Sequence, residues 1–168
     1  MAENLAYLPS VNDATDNSTT VAKYYVYNYD GTVVADAKAS SYYTTYGVLY
    51  NWTAAMGVCP TGWHLPSSAE WATLEATVGG LDKAGTKLKS VSGWTSGITG
   101  TDAYGFSALP SGRYLGSGFN YVFSGNWWSA TEYDASYAYS RYMYYSNANV
   151  YSSSNDKISG FSVRCLQD

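Results

Sequence analysis

Histidine occurs once in this sequence, at His64, and cysteine twice, at Cys59 and Cys165. So thin a supply removes zinc clusters built from His and Cys, and any Ser-His-Asp arrangement would hang on one imidazole with no nucleophile motif beside it. A structural role is expected for His64. Basic residues are scarce as well, nine Lys and Arg against 13 Asp and Glu, for a formal net charge of −4. That balance excludes nucleic acid as partner, because its phosphates have to be met by a basic surface. No stretch approaches the run of about 20 apolar residues that a membrane-spanning helix needs. Met1-Ala2-Glu3-Asn4-Leu5 has neither the basic segment nor the apolar stretch of a secretion signal, so any such signal is expected to be already removed or to lie outside this sequence.

What is present suffices for one domain over residues 1–168, since 46% hydrophobic and 13% charged residues can bury a sizeable core. The aromatic excess is of one kind: 19 tyrosines and six tryptophans against four phenylalanines. Tyr and Trp carry a polar handle and suit wet interfaces. A β-rich domain also uses Tyr in half-buried strands, which accounts for part of the excess.

Along the chain, KYYVYNYDGTVVA from Lys23 alternates aromatic and β-branched residues and breaks at Asp30-Gly31, which predicts a β-hairpin. The polar stretches VNDATDNSTT and KASSYYTTY on either side read as loops. Ser67 and Glu70 form a capping box ahead of AEWATLEATV, with Gly79-Gly80 as the stop, so a helix is predicted there with Trp71, Leu74 and Val78 on its core face. A shorter helix is predicted over Tyr50 to Met56, capped by Asn51. Beyond Gly93, glycines including Gly97 separate short strand-like pieces, FSALP, RYL and YVF. In the last segment, GFSVRCLQD, Phe161, Val163 and Cys165 alternate with Ser162, Arg164 and Leu166, as in a strand that pairs centrally. Two helices, short antiparallel strands and long Gly-rich loops make an α+β domain.

Cys59 and Cys165 stand far apart and outside any CxxC, which favours a structural disulfide over two separate buried thiols. Glu70, Glu75, Glu132, Asp134 and Asp156 include enough carboxylates for a glycosidase pair, but capping for Glu70, a solvated face for Glu75 and loop hydrogen bonding for the others are the simpler expectations. No enzyme, metal site or cofactor is expected.

CPTGWHLPSSAEW (Cys59 to Trp71) resembles the Fibrobacter succinogenes major paralogous domain, a family of secreted bacterial surface domains with a C-type-lectin-like fold. The likeness continues through MAENLAY, YGVLYNWTAAM, KLKS, GFSALPSGRY, WWSATE (Trp127 to Glu132) and GFSVRC (Gly160 to Cys165). It implies a Cys59–Cys165 bridge, a GWHLP turn leading into the long helix, and WWSATE as a core strand with Trp127 and Trp128 as packing residues. It also implies export to the cell surface, as a lipoprotein, an adhesin-like part or a phage-displayed protein. The Glu-Pro-Asn, Gln-Pro-Asp and Trp-Asn-Asp signatures of calcium-dependent sugar-binding C-type lectins are missing. The formylglycine-generating enzymes share the broad fold but need a reactive cysteine pair, whereas both cysteines here match bridge positions.

Between the last two frame motifs, residues 133–156 read YDASYAYSRYMYYSNANVYSSSND, where only Arg141, Met143 and Val150 depart from Tyr, Ser, Asn, Asp and Ala. This is the alphabet of antibody paratopes, in which Tyr offers rigid contact area and Ser and Asn adaptable hydrogen bonds. The segment resembles the variable regions that diversity-generating retroelements write by replacing adenines in Asn codons; an ordinary polar, Tyr-rich loop and strand is the alternative. Either way, a solvent-facing patch is expected from Tyr133, Asp134, Ser136, Tyr137, Ser140, Tyr142, Tyr144, Ser146, Asn147, Tyr151, Ser152 and Ser153, with Ala138, Met143 and Val150 inward. The function expected is ligand binding or display towards a protein or glycan on another cell or particle. A calcium-independent glycan-binding module and a structural tip domain are the alternatives.

Overall fold

The computed structural model describes residues 1–95, 99–120 and 123–168. In chain order its elements are β1 (Tyr24–Tyr25), α1 (Val34–Ala39), α2 (Ser41–Tyr46), β2 (Leu49–Tyr50), α3 (Trp52–Ala55), β3 (Trp63–His64), α4 (Ser68–Thr77), α5 (Leu81–Leu88), β4 (Arg113–Tyr114), β5 (Phe119–Asn120), β6 (Ser124–Glu132), β7 (Tyr137–Tyr144), β8 (Val150–Asp156) and β9 (Leu166–Gln167). The mixed α+β class agrees with the sequence, but there are five helices among the described residues where two were expected.

The hairpin expected around Asp30-Gly31 does not form. The chain turns earlier, where Tyr29 N–H donates to Val26 O at 3.0 Å and Asn28 takes a positive φ of 56°. β1 then pairs antiparallel with β2, Tyr24 opposite Tyr50 and Tyr25 opposite Leu49. The end of the expected second arm runs instead into α1, whose three alanines favour a helix. KASSYYTTY is helical too: the Ser40 side chain accepts from Tyr42 N–H and starts α2. VNDATDNSTT does remain outside regular structure.

The capping box is present at α4, where Ser67 accepts from Glu70 N–H and Glu70 reaches back to Ser67 N–H at 2.8 Å. Asn51 caps α3 through Ala54 N–H. After the stop at Gly79-Gly80 the chain immediately re-enters α5, which the glycine pair concealed.

The main sheet has the order β6-β7-β8, all antiparallel. Trp127 and Trp128, adjacent in β6, point to opposite faces because side chains alternate along a strand. Trp127 joins Trp71 of α4, Ala84 and Leu88 of α5, Met143 and Val150 in one core. Trp128 packs on Phe161, at 4.3 Å between ring centroids, in a second core with Val26, Tyr50, Ala138, Val163 and Cys165. The expected inward positions Ala138, Met143 and Val150 are all buried.

Residues 160–162 of the C-terminal segment lie centrally, bridging Phe161 to Tyr50 on one side and Ser162 to Trp127 on the other. The expected continuous strand does not form: only Leu166–Gln167 is a strand, β9, paired with β3 in a separate two-stranded sheet. The segment's polar positions are not outward either: Ser162 is fully buried and Arg164 is 3% exposed. Arg164 satisfies its guanidinium on Asn4 Oδ1 and the carbonyls of Ala2, Phe106 and Ser107. Cys59 and Cys165 are bridged. RYL contributes β4, FSALP only a single bridge at Ala108, and Gly97 together with Tyr121 and Val122 of YVF lies outside the described residues. Among the described residues no helix is long and apolar enough to cross a membrane.

Candidate functional site

β7 and β8 carry most of the Tyr/Ser/Asn segment, and their register sorts it by face. Tyr137, Tyr139, Arg141 and Met143 stand opposite Asp156, Ser154, Ser152 and Val150, while Ala138, Ser140 and Tyr142 stand opposite Asn155, Ser153 and Tyr151. Cross-strand partners share a face. The expected contacts therefore fall on two surfaces instead of one continuous patch, at opposite ends of a strand whose seven steps span roughly 23 Å.

The first surface is the β6–β7 turn, where Tyr133, Asp134, Ser136 and Tyr137 are exposed. Asp134 shapes it by accepting from the N–H groups of Ser136 and Tyr137, both at 2.8 Å. Tyr133 meets Tyr139 edge-on at 5.4 Å.

The second is an open hollow of about 500 Å³ at the other end of the sheet. Tyr142, Tyr144, Asn147 and Tyr151 come from the segment, and Arg113, Ser124 and Asn126 from outside it. Tyr142 and Tyr151 stack at 4.8 Å with rings 14° from parallel. Burial raises the Tyr142 phenol above its ordinary pKa, with Tyr151 adding to the rise and Arg113 opposing it. Asn126 is 2% exposed and donates to Gly112 O at 3.2 Å and Ser124 Oγ at 2.9 Å, fixing the hollow's floor. The sequence pattern gave no sign of Arg113, Ser124 or Asn126, which precede the Tyr-rich segment; β6–β7 pairing, Asn126 opposite Tyr142, brings in the latter two, and the Gly112–Gly125 bridge sets Arg113 of β4 beside them.

Four expected contacts stand apart. Ser140 is buried at 1% exposure, its hydroxyl donating to Ser153 O and accepting from Asn155 Nδ2, so it is removed from the surface set. Ser152 lies on the α4 side, where its hydroxyl accepts from Arg141 Nη1 at 2.9 Å. Ser153 is half-buried beside Ser140. Ser146 is exposed at the β7–β8 turn.

Glu75, expected on a solvated face, is buried and paired with Arg141 Nε at 2.6 Å. His64 is held by carboxylates at both ring nitrogens, Asp168 at 2.6 Å and Glu70 at 2.9 Å.

Both turns of the segment are held from outside through their main chain. Lys157 Nζ donates to the carbonyls of Asp134 and Ala135 at 2.8 and 2.9 Å, pairs with Glu132 and sits 4.7 Å over the Trp52 ring. Lys89 Nζ donates to the carbonyls of Tyr144 and Asn147, both at 2.7 Å, 4.6 Å over Trp94. Gly85 lets α5 press on the same turn: a Cβ there would lie 2.5 Å from Ala148 O.

The sequence profile of the Fibrobacter succinogenes major domain matches residues 1–167. The chain belongs to that family. Neither the curated proteins nor the solved structures contain a match to it. In this Fibrobacter succinogenes major domain the Cys59–Cys165 bridge, the two tryptophans of β6 and the Ser67 capping box all lie outside residues 133–156.

Proposed function

We propose that this domain is an extracellular ligand-binding and display module with a C-type-lectin-like fold, whose binding surface is the Tyr/Ser/Asn segment 133–156. One observation carries the reading: the turns of that segment are anchored by Lys157 and Lys89 through carbonyl oxygens, which every residue type supplies. Apart from Asp134, whose carboxylate shapes the first turn, side chains on these turns are thus free to be chosen for a ligand, on a backbone ordered beforehand so that little is lost on binding. The same feature favours diversification by a retroelement, since substitutions there leave the anchors intact.

The fold assignment is supported by the closing of the chain ends, Leu5 N–H donating to Val163 O at 2.9 Å, and by the bridge beside them. Export is supported by that disulfide, which persists in oxidising compartments. Binding without calcium is supported by Lys157, whose ammonium sits among one carboxylate and two carbonyl oxygens, the donors a hard cation takes.

The test is binding of the purified domain to a glycan array and to candidate surface proteins, with Tyr133→Ala/Tyr137→Ala and Tyr142→Ala/Tyr151→Ala alongside. Binding that one of these pairs abolishes supports the reading; no binding in either format leaves a structural tip domain. A near-copy of the coding segment, differing at adenines and beside a reverse transcriptase gene, would establish diversification.

A further inference from the structure

On the basis of that display reading, we infer that the hollow between β4, β6 and β7 takes a carboxylate-bearing sugar residue, of the uronic-acid type, with Arg113 as the residue that selects the acid. Its volume of about 500 Å³ falls in the ~300–1,000 Å³ range of small-ligand sites and exceeds what one acidic peptide side chain fills.

Its lining matches a polyol. Asn126 and Asn147 supply amides, Ser124 and Tyr144 hydroxyls, and the Tyr142–Tyr151 stack aromatic surface for the apolar side of a pyranose ring. Arg113 is the one ionised side chain among these lining residues, in a protein whose net charge is −4. Arg113 lines the same hollow as the Tyr142–Tyr151 stack, which puts a cation beside that aromatic surface. A planar guanidinium binds a carboxylate through two parallel hydrogen bonds, which a neutral sugar cannot match.

The backbone that carries Arg113 is fixed before any ligand arrives. Arg113 pairs with Asn120 across β4–β5, its neighbour Tyr114 is fully buried, and Gly112 bridges to Gly125 of β6. Arg113 precedes residues 133–156, so the acid preference would persist while the tyrosines around it vary.

The experiment compares oligogalacturonate with its methyl ester of the same length, titrated against the unaltered domain by calorimetry. The acid is expected to bind about 10- to 100-fold more tightly than the ester, the gain that a charged hydrogen-bond partner gives. Arg113→Gln should erase that difference, Arg113→Lys should keep part of it, and Tyr104→Ala, exposed and outside both surfaces, should leave it unchanged. Equal affinity for acid and ester, no binding of either, or an undiminished preference in Arg113→Gln overturns the assignment, as does binding of a poly-glutamate peptide in place of the sugar. Because acid and ester are compared on the unaltered protein, a misfolded variant does not rescue the idea. Loss of this preference, with Tyr133- or Tyr137-dependent binding of another ligand retained, sinks the inference alone; absence of all binding sinks the display reading with it.

Discussion

The ammonium of Lys89 donates to the carbonyl oxygen of Tyr144 at 2.7 Å, from a side chain with no solvent exposure and a pKa lowered to about 8 by burial. It still carries its proton at neutral pH. Lys89→Met removes the donor and leaves the Tyr144 and Asn147 carbonyls short of a partner, at an expected cost of order 1–3 kcal/mol. Amide exchange should quicken in residues 145–149, and for Lys157→Met in residues 133–136 instead. Unchanged protection in both turns would remove the anchoring role.

The tyrosines of the two surfaces should respond differently to truncation. Tyr133 and Tyr137 are exposed, and alanine at either is expected to shift stability by no more than about 0.5 kcal/mol. Tyr142 is half-buried in its stack with Tyr151, so Tyr142→Ala should cost at least the roughly 0.5–1.5 kcal/mol of an aromatic pair. Chemical denaturation of the three single variants measures this, and equal losses at all three would contradict the division into two surfaces.

The Cys59–Cys165 bridge spans a sequence separation of 106 residues. Replacing both cysteines by serine is expected to cost about 4–5 kcal/mol on the chain-entropy estimate for a loop of that size. A loss under about 1 kcal/mol would mean that this estimate fails here, as it does where the reduced chain stays compact.

His64 gives a pH dependence with a definite sign. Hydrogen bonds to Asp168 and then Glu70 raise its pKa above the ordinary 6.5. The folded state thus binds the proton more tightly than the unfolded one, so the stabilisation is complete below pH 6.5 and is lost as pH climbs through the raised value. β9, paired to β3 through His64 and Leu166, should show larger protection factors on the acid side. An NMR titration placing His64 at or below 6.5 would refute this.

Local signals in the sequence sufficed for some elements. Ser67 and Glu70 marked the start of α4 because a capping box is satisfied within one turn of chain, and the apolar residues Ala138, Met143 and Val150 announced their own burial by chemistry. The bridge and the packed tryptophans were legible through likeness to the family.

The candidate site was legible as a segment but not as a surface. Tyr and Ser carry the same signal on either side of a strand, so nothing in YAYSRYMY distinguished buried Ser140 from half-buried Tyr142 or told the two faces of β7 apart. Strand partners were equally hidden, since Tyr24 meets Tyr50 across the fold and not the residues after Asp30-Gly31. Arg113 and Asn126 reach the hollow through pairings distant in sequence, which is why composition determined that this chain has a Tyr/Ser/Asn-rich segment, while tertiary pairing alone decided where that segment faces solvent and which cation stands beside it.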